Sequence, residues 1–154
     1  MRRLLWRALL LTAVTTVAPA CDDDNNNSLN PTAPSTPPTV LTETFTGTLL
    51  KNAAYTHPFA VNDAGDVSVF LLQSVDPAQP ENNAIPIGVS LGTWNGVTCS
   101  IVIANDNITP ASADKPSQGL LIGRATSAGN LCVRVYDVGK VSASANYELL
   151  IDHY

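Results

Sequence analysis

The sequence predicts an all-β fold, an eight-stranded antiparallel β-sandwich over residues 39–154. Three observations predict it. Apolar and polar side chains alternate with a period of two in several segments. Those segments are short, rich in β-branched and aromatic residues, and bounded by Gly, Asn, Asp and Pro. No window of helical length keeps a 3.6-residue apolar period.

Taken in chain order, the first expected strand is Glu43–Leu50, closed by Lys51-Asn52. Tyr55–Val61 follows and ends at Asn62-Asp63-Ala64-Gly65. Asp66–Val75 puts Val67, Val69 and Leu71 on one face, with Phe70 and Leu72 on the other. Ile85–Leu91 runs to a turn at Trp94-Asn95-Gly96, and Thr98–Ala104 to a turn at Asn105-Asp106-Asn107. Gln118–Arg124 ends before Ser127-Ala128-Gly129-Asn130. In Asn130–Val138, Leu131, Val133 and Val135 alternate against Cys132, Arg134 and Tyr136, and Gly139-Lys140 turns the chain. In Ala143–Asp152, Tyr147, Leu149 and Ile151 alternate against Glu148, Leu150 and Asp152. One buried and one wet face per strand is the pattern of an antiparallel sandwich. Phe45, Phe59 and Val61 complete the expected core, and residues 39–154 are enough for one such core.

The residues before the sandwich divide in two. Residues 1–20 carry Arg2, Arg3 and Arg7, then an uncharged apolar run from Ala8 to Ala18 that is too short to span a bilayer as a helix. That is a signal-peptide pattern. It ends in Ala18-Pro19-Ala20-Cys21, which resembles the bacterial lipoprotein signal, where the Cys becomes the first mature residue and is acylated. Ala18 stands where that signal usually has Leu; an ordinary cut after Ala20 is the alternative, leaving Cys21 a free thiol. Residues 21–38 hold an Asp triplet, an Asn triplet and Pro31, Pro34, Pro37 and Pro38 with Leu29 as their one large aliphatic. Such a segment cannot bury enough apolar area to offset its ordering, so it reads as a disordered tether reaching about 60 Å when extended. The expected location is the bacterial cell envelope, outside the cytoplasm, with the membrane as a partner through Cys21.

Cys99 and Cys132 fall on two expected strands, and in an exported domain they should pair. Their facing conflicts: Cys132 alternates with Arg134 and Tyr136, outward, while Cys99 alternates with Ile101 and Ile103, inward. A bond then requires Cys99 at a strand end or bulge, or a crossing at an edge.

Several segments together carry a family resemblance. Phe45-Thr-Gly-Thr-Leu, His57-Pro-Phe-Ala-Val, Ala64-Gly65-Asp-Val-Ser-Val, Leu131-Cys-Val-Arg-Val-Tyr-Asp-Val-Gly139 and Asn146-Tyr-Glu-Leu-Leu-Ile151 resemble the strands of bacterial pre-peptidase C-terminal (PPC) domains. The resemblance implies a jelly-roll-like sandwich. It also implies a role in secretion, in binding insoluble substrate, or with calcium, usually beside a secreted peptidase. Here the sandwich is expected to stand alone on its tether.

Charge and composition narrow the function. With 8 basic against 13 acidic residues the chain lacks the basic stripe of a nucleic-acid binder, and loss of Arg2, Arg3 and Arg7 with a signal makes it more acidic still. The 2 histidines, His57 before a Pro and His153 next to last, read as surface or edge residues with no nucleophile positioned for them. The expected protein is therefore not an enzyme, and no cofactor is implied. Asn105, Asp106 and Asn107 supply oxygens in series, which suits calcium, although tight turns use the same residues. Trp94 in its turn and the outward Tyr136 and Arg134 are candidate ligand contacts, since exposed aromatics and Arg are frequent hot spots. Trp94 could equally plug the end of the sandwich. The expectation is a binding module for a glycan or protein at the cell envelope; the alternative is a structural or accessory envelope protein that assists assembly or secretion of its partners.

Overall fold

Alternation, β-branching and well-placed turns yield the eight strands. In a computed structural model they are β1 (Leu41–Leu50), β2 (Ala54–Val61), β3 (Gly65–Val75), β4 (Ile87–Trp94), β5 (Cys99–Ile108), β6 (Leu120–Ala125), β7 (Gly129–Tyr136) and β8 (Ser144–His153). The structure describes residues 36–81, 84–111 and 117–154. The signal segment 1–20, Cys21 and all but the end of the tether lie outside the described residues.

Two boundaries differ from the sequence reading in a way that matters. β4 continues to Trp94, so this ring ends a strand instead of standing in a turn. β5 continues to Ile108, so Asn105-Asp106-Asn107 are strand residues. Register explains the second point. Val89 pairs with Asn105 and Ile87 with Ile108, so two steps along β4 match three along β5. A bulge lets an edge strand carry such polar residues without losing its pairing.

The strands form two four-stranded antiparallel sheets, ordered β1-β8-β3-β6 and β2-β7-β4-β5. β1 pairs with β8, β2 with β7, β3 with β6 and β4 with β5. The pairs nest as though the chain were folded once at the β4–β5 hairpin and the double ribbon then rolled into a sandwich. That is jelly-roll topology. Pro58, which cannot donate to a ladder, sits on the edge strand β2, where a missing N–H is tolerated.

The core lies between the sheets and follows the alternation. Val67, Val69 and Leu71 from β3, Val133 and Val135 from β7, and Tyr147, Leu149 and Ile151 from β8 are buried, joined by Ile87, Val89 and Leu91 of β4. Phe59 and Val61 are buried with them, and Phe45 packs against the cluster.

His153 overturns the surface-or-edge reading, whereas His57 lies on the edge strand β2 but is partly buried. His153 is 1% exposed, its Nε2 3.0 Å from Glu43 Oε1 and its ring beside Phe59. The chain end is not frayed: Leu41 pairs with His153, and the N–H groups of Asn62 and Asp63 donate to the Tyr154 carbonyl. His57 stacks on Phe45 and meets the Tyr147 hydroxyl at 2.7 Å, and burial lowers its pKa.

Candidate functional site

The outer face of the β2-β7-β4-β5 sheet gathers the residues singled out above. With Val133 and Val135 turned to the core, Cys132, Arg134 and Tyr136 point outward from β7. Their partners on β4 are Gly92, Ser90 and Gly88 respectively. The floor under these side chains is therefore small at every outward position, and this decides the geometry.

Tyr136 lies face-down on Gly88. A Cβ there would stand 2.2, 2.3 and 2.6 Å from its neighbouring ring atoms Cε2, Cζ and Cδ2, distances that only a ring laid flat over the glycine gives. From that position its hydroxyl crosses β4 and donates to Asp106 on β5. Burial pushes the Tyr136 pKa up to about 12, the bond to Asp106 and the Asp106 charge add to the rise, and Arg134 opposes it.

Cys132 crosses β4 in the same way. It is disulfide-bonded to Cys99 with Cα atoms 5.8 Å apart, and it does so beside Gly92, where a Cβ would stand 2.2 Å from the Ser100 carbonyl oxygen. The conflict of facing resolves here. Leu91 pairs with Ile103 and Gly92 with Ile101, so β5 carries one extra residue, Val102, between them. Ile103 packs against the core while Ile101 and Cys99 turn to the outer face, the face of Cys132. Cys99 is also the first residue of its strand. The bond belongs in an oxidising, extracytoplasmic setting.

β7 is thus tied to β5 twice across β4, and Arg134 stands between the ties. Two open hollows flank it. The larger, about 540 Å³, is lined by Ser90, Ile101, Arg134, Tyr136, Asn52 and Asp137, among others. The second, about 410 Å³, is lined by Ala54, Thr56, Trp94, Val97, Thr98, Cys99 and Arg134. Trp94 is half-buried on this face, so it does not plug the end of the sandwich. Along β4, Gly88 and Trp94 are about 20 Å apart at 3.3–3.4 Å per residue.

The rims are fixed by hydrogen bonds. Asn95 Oδ1 accepts from the N–H groups of Val97 and Thr98 at 2.9 and 2.8 Å, which sets the turn after Trp94. Asp137 accepts the N–H groups of Gly139, Lys140 and Val141 on one oxygen and that of Asn52 on the other. Burial acts to raise the Asp137 pKa, and these four donors hold it below the ordinary carboxylate value. Asn52 itself takes a left-handed φ of 56°, which Asn tolerates.

Two of the three residues expected for calcium are engaged within the protein. Asp106 is engaged by Tyr136, and Asn105 Oδ1 accepts the N–H of Asn107 at 3.0 Å. Among the described residues no group of three or more His, Cys, Asp or Glu is placed to hold a metal. Sequence reading singled out Trp94, Arg134 and Tyr136, which the structure brings to one face, but missed what they rest on. The signal was present in Gly88-Val-Ser90-Leu-Gly92, whose alternate small residues mark a strand face that others cross.

No protein-family model matches the chain, and no curated protein matches it. Several solved structures are similar at low identity, three of them as follows. The pre-peptidase C-terminal domain of a collagenase from Bacillus anthracis is 16% identical, with 72% of this chain and 89% of that one covered and a TM-score of 0.46. A periplasmic inhibitor of g-type lysozyme from Aeromonas hydrophila is 11% identical, with 71% and 83% covered and a TM-score of 0.45. A disulfide-linked pilus protein of Bacillus endospore appendages is 12% identical, with 75% and 88% covered and a TM-score of 0.34.

Proposed function

We propose that this chain is a non-catalytic binding module of the bacterial cell envelope, displayed from a lipidated Cys21 on the 21–38 tether. The outer face of its β2-β7-β4-β5 sheet takes a glycan or protein. One observation carries the reading: Trp94, Arg134 and Tyr136 line two adjoining hollows on a single face, over a floor of small residues. An exposed Arg flanked by aromatic rings on a rigid strand scaffold is a common binding constellation. The histidines support a non-catalytic role, because both turn inward and are engaged by Tyr147 and Glu43.

The test is retention on envelope polysaccharides and envelope protein fractions. Trp94→Ala and Tyr136→Ala should each weaken retention while the far-ultraviolet circular dichroism stays unchanged. Binding that ignores Trp94, Tyr136 and Arg134 would remove the platform. Mass spectrometry of the mature N-terminus tests the anchor, and an unmodified Cys21 would end it.

A further inference from the structure

We infer that the hollow between Trp94 and Arg134 binds an acidic sugar residue, a hexuronate unit of an acidic polysaccharide. This rests on the reading of the face as a glycan platform and names the chemistry that it selects.

The charges on this face are unequal in their freedom. Asp106 accepts from Tyr136 and Asp137 is held by four backbone N–H groups. Elsewhere Arg124 is paired with Asp66 at 2.9 Å. Among the described residues, the ion pairs are that one and His153 with Glu43, so Arg134 has none. Its guanidinium is exposed and is the single charged group lining the smaller hollow. In a chain of net charge −5, a hollow whose charge is a lone cation is a local exception. It attracts an anion where most of the surface repels one.

The neighbours specify which anion. A guanidinium fork matches a carboxylate with two parallel hydrogen bonds. Trp94 offers a broad ring whose electron-rich face suits the C–H groups on one side of a pyranose. Thr56 adds a hydroxyl that donates to or accepts from sugar hydroxyls, and Thr98, whose Oγ1 accepts from Asn95 Nδ2, keeps its O–H to donate. Val97, 81% exposed, adds apolar contact at the rim. A carboxylate attached to a ring that has one apolar side and several hydroxyls satisfies all of these groups together. The larger hollow carries the Asp137 carboxylate beside Arg134, so the acidic unit belongs in the smaller one.

Calorimetric titration of the purified protein tests this with three probes: oligogalacturonate, the same oligomer with its carboxyls reduced to hydroxymethyl groups, and a polyglutamate peptide. The acidic oligomer should bind, and the reduced one at least tenfold more weakly. Arg134→Gln should cost tenfold or more, Arg134→Lys should restore only part of the loss, and Trp94→Ala should also weaken binding. Equal binding of the reduced oligomer, still dependent on Trp94 but indifferent to Arg134, overturns this inference and leaves the platform standing. Polyglutamate binding as tightly, without dependence on Trp94, overturns it in favour of an acidic peptide. Absence of any glycan binding that depends on these side chains overturns the platform as well.

Discussion

Gly88→Ala probes the platform through its own floor. The new Cβ would stand 2.2 Å from Tyr136 Cε2, more than an ångström inside the roughly 3.5–4.0 Å of a carbon contact. β4 is paired on both sides, with β7 and with β5, so the ring is what yields. Lifting it breaks the bond to Asp106, and a hydrogen bond to a charged group is worth about 1.5–3 kcal/mol, here toward the low end because the site is exposed. Some packing of the ring on the strand is lost with it. Against this, replacing Gly with Ala gains about 0.4–1 kcal/mol through the unfolded chain. The net is a loss of about 1–2 kcal/mol, or about 0.5–1 M in the urea midpoint for a domain of this size. In a Tyr136→Ala background the obstruction is gone, and the same substitution should be neutral or slightly stabilising. Urea unfolding of the two single variants and the double variant reads this reversal of sign directly. Equal destabilisation by Gly88→Ala in both backgrounds would refute the placement of the ring.

Gly92→Ala should be costlier than Gly88→Ala, since its Cβ would stand 2.2 Å from a backbone oxygen of Ser100 that a disulfide next door prevents from moving; a urea midpoint equal to that of the parent protein would contradict it. Opening the Cys99–Cys132 bond, by reduction or by a paired change to Ser, should remove about 3–4 kcal/mol on the chain-entropy model for a separation of 33 residues, seen as a lower melting temperature under reductant. The lowered His57 pKa gives a pH dependence with a definite sign. The unfolded chain takes up this proton near pH 6.5 and the folded one only below that, so stability is full above about pH 6.5 and falls as the pH drops toward the folded value. His57→Gln should flatten that part of the stability profile, and an unchanged slope would dismiss the cause.

Legibility in the sequence followed the physics of each feature. Strands and core were legible because a period of two in Val67-Ser-Val69-Phe-Leu71 or Tyr147-Glu-Leu149-Leu-Ile151 has one structural meaning. Topology was legible in class only, because pairing β1 with β8 depends on contacts between the two ends of the domain. The bulges had no local signal, and the one at Val102 showed only as the conflict of facing between Cys99 and Cys132. Nothing local to Val102 announces that β5 carries an extra residue there, and that residue alone reversed the facing of Ile101 and Cys99. Asn105-Asp106-Asn107 misled for a related reason: Asn and Asp favour turns when they can bond their own backbone, and here Asp106 is claimed by a tyrosine two strands away. His153 misled because a penultimate residue reads as loose, while the sheet pairs to its very end.

The two ties across β4 account for both the stability of the face and its shape. β5 is an edge strand, and an edge strand invites unwanted pairing unless it is bulged, shortened or covered. β5 is bulged twice, each bulge beside a glycine of β4, and at each glycine a side chain of β7 reaches across: Tyr136 to Asp106 over Gly88, Cys132 to Cys99 beside Gly92. Bulges twist the edge out of reach of other strands, and the ties hold the twisted edge in place. Between two such fixed points the outer face cannot flatten, so the hollows on either side of Arg134 are held open before any ligand arrives. Preorganisation of that kind lowers the ordering cost of binding. If the face binds as proposed, removing the disulfide should weaken retention at the hollow beside Trp94 and Cys99 more than at the one beside Tyr136, whose own tie remains.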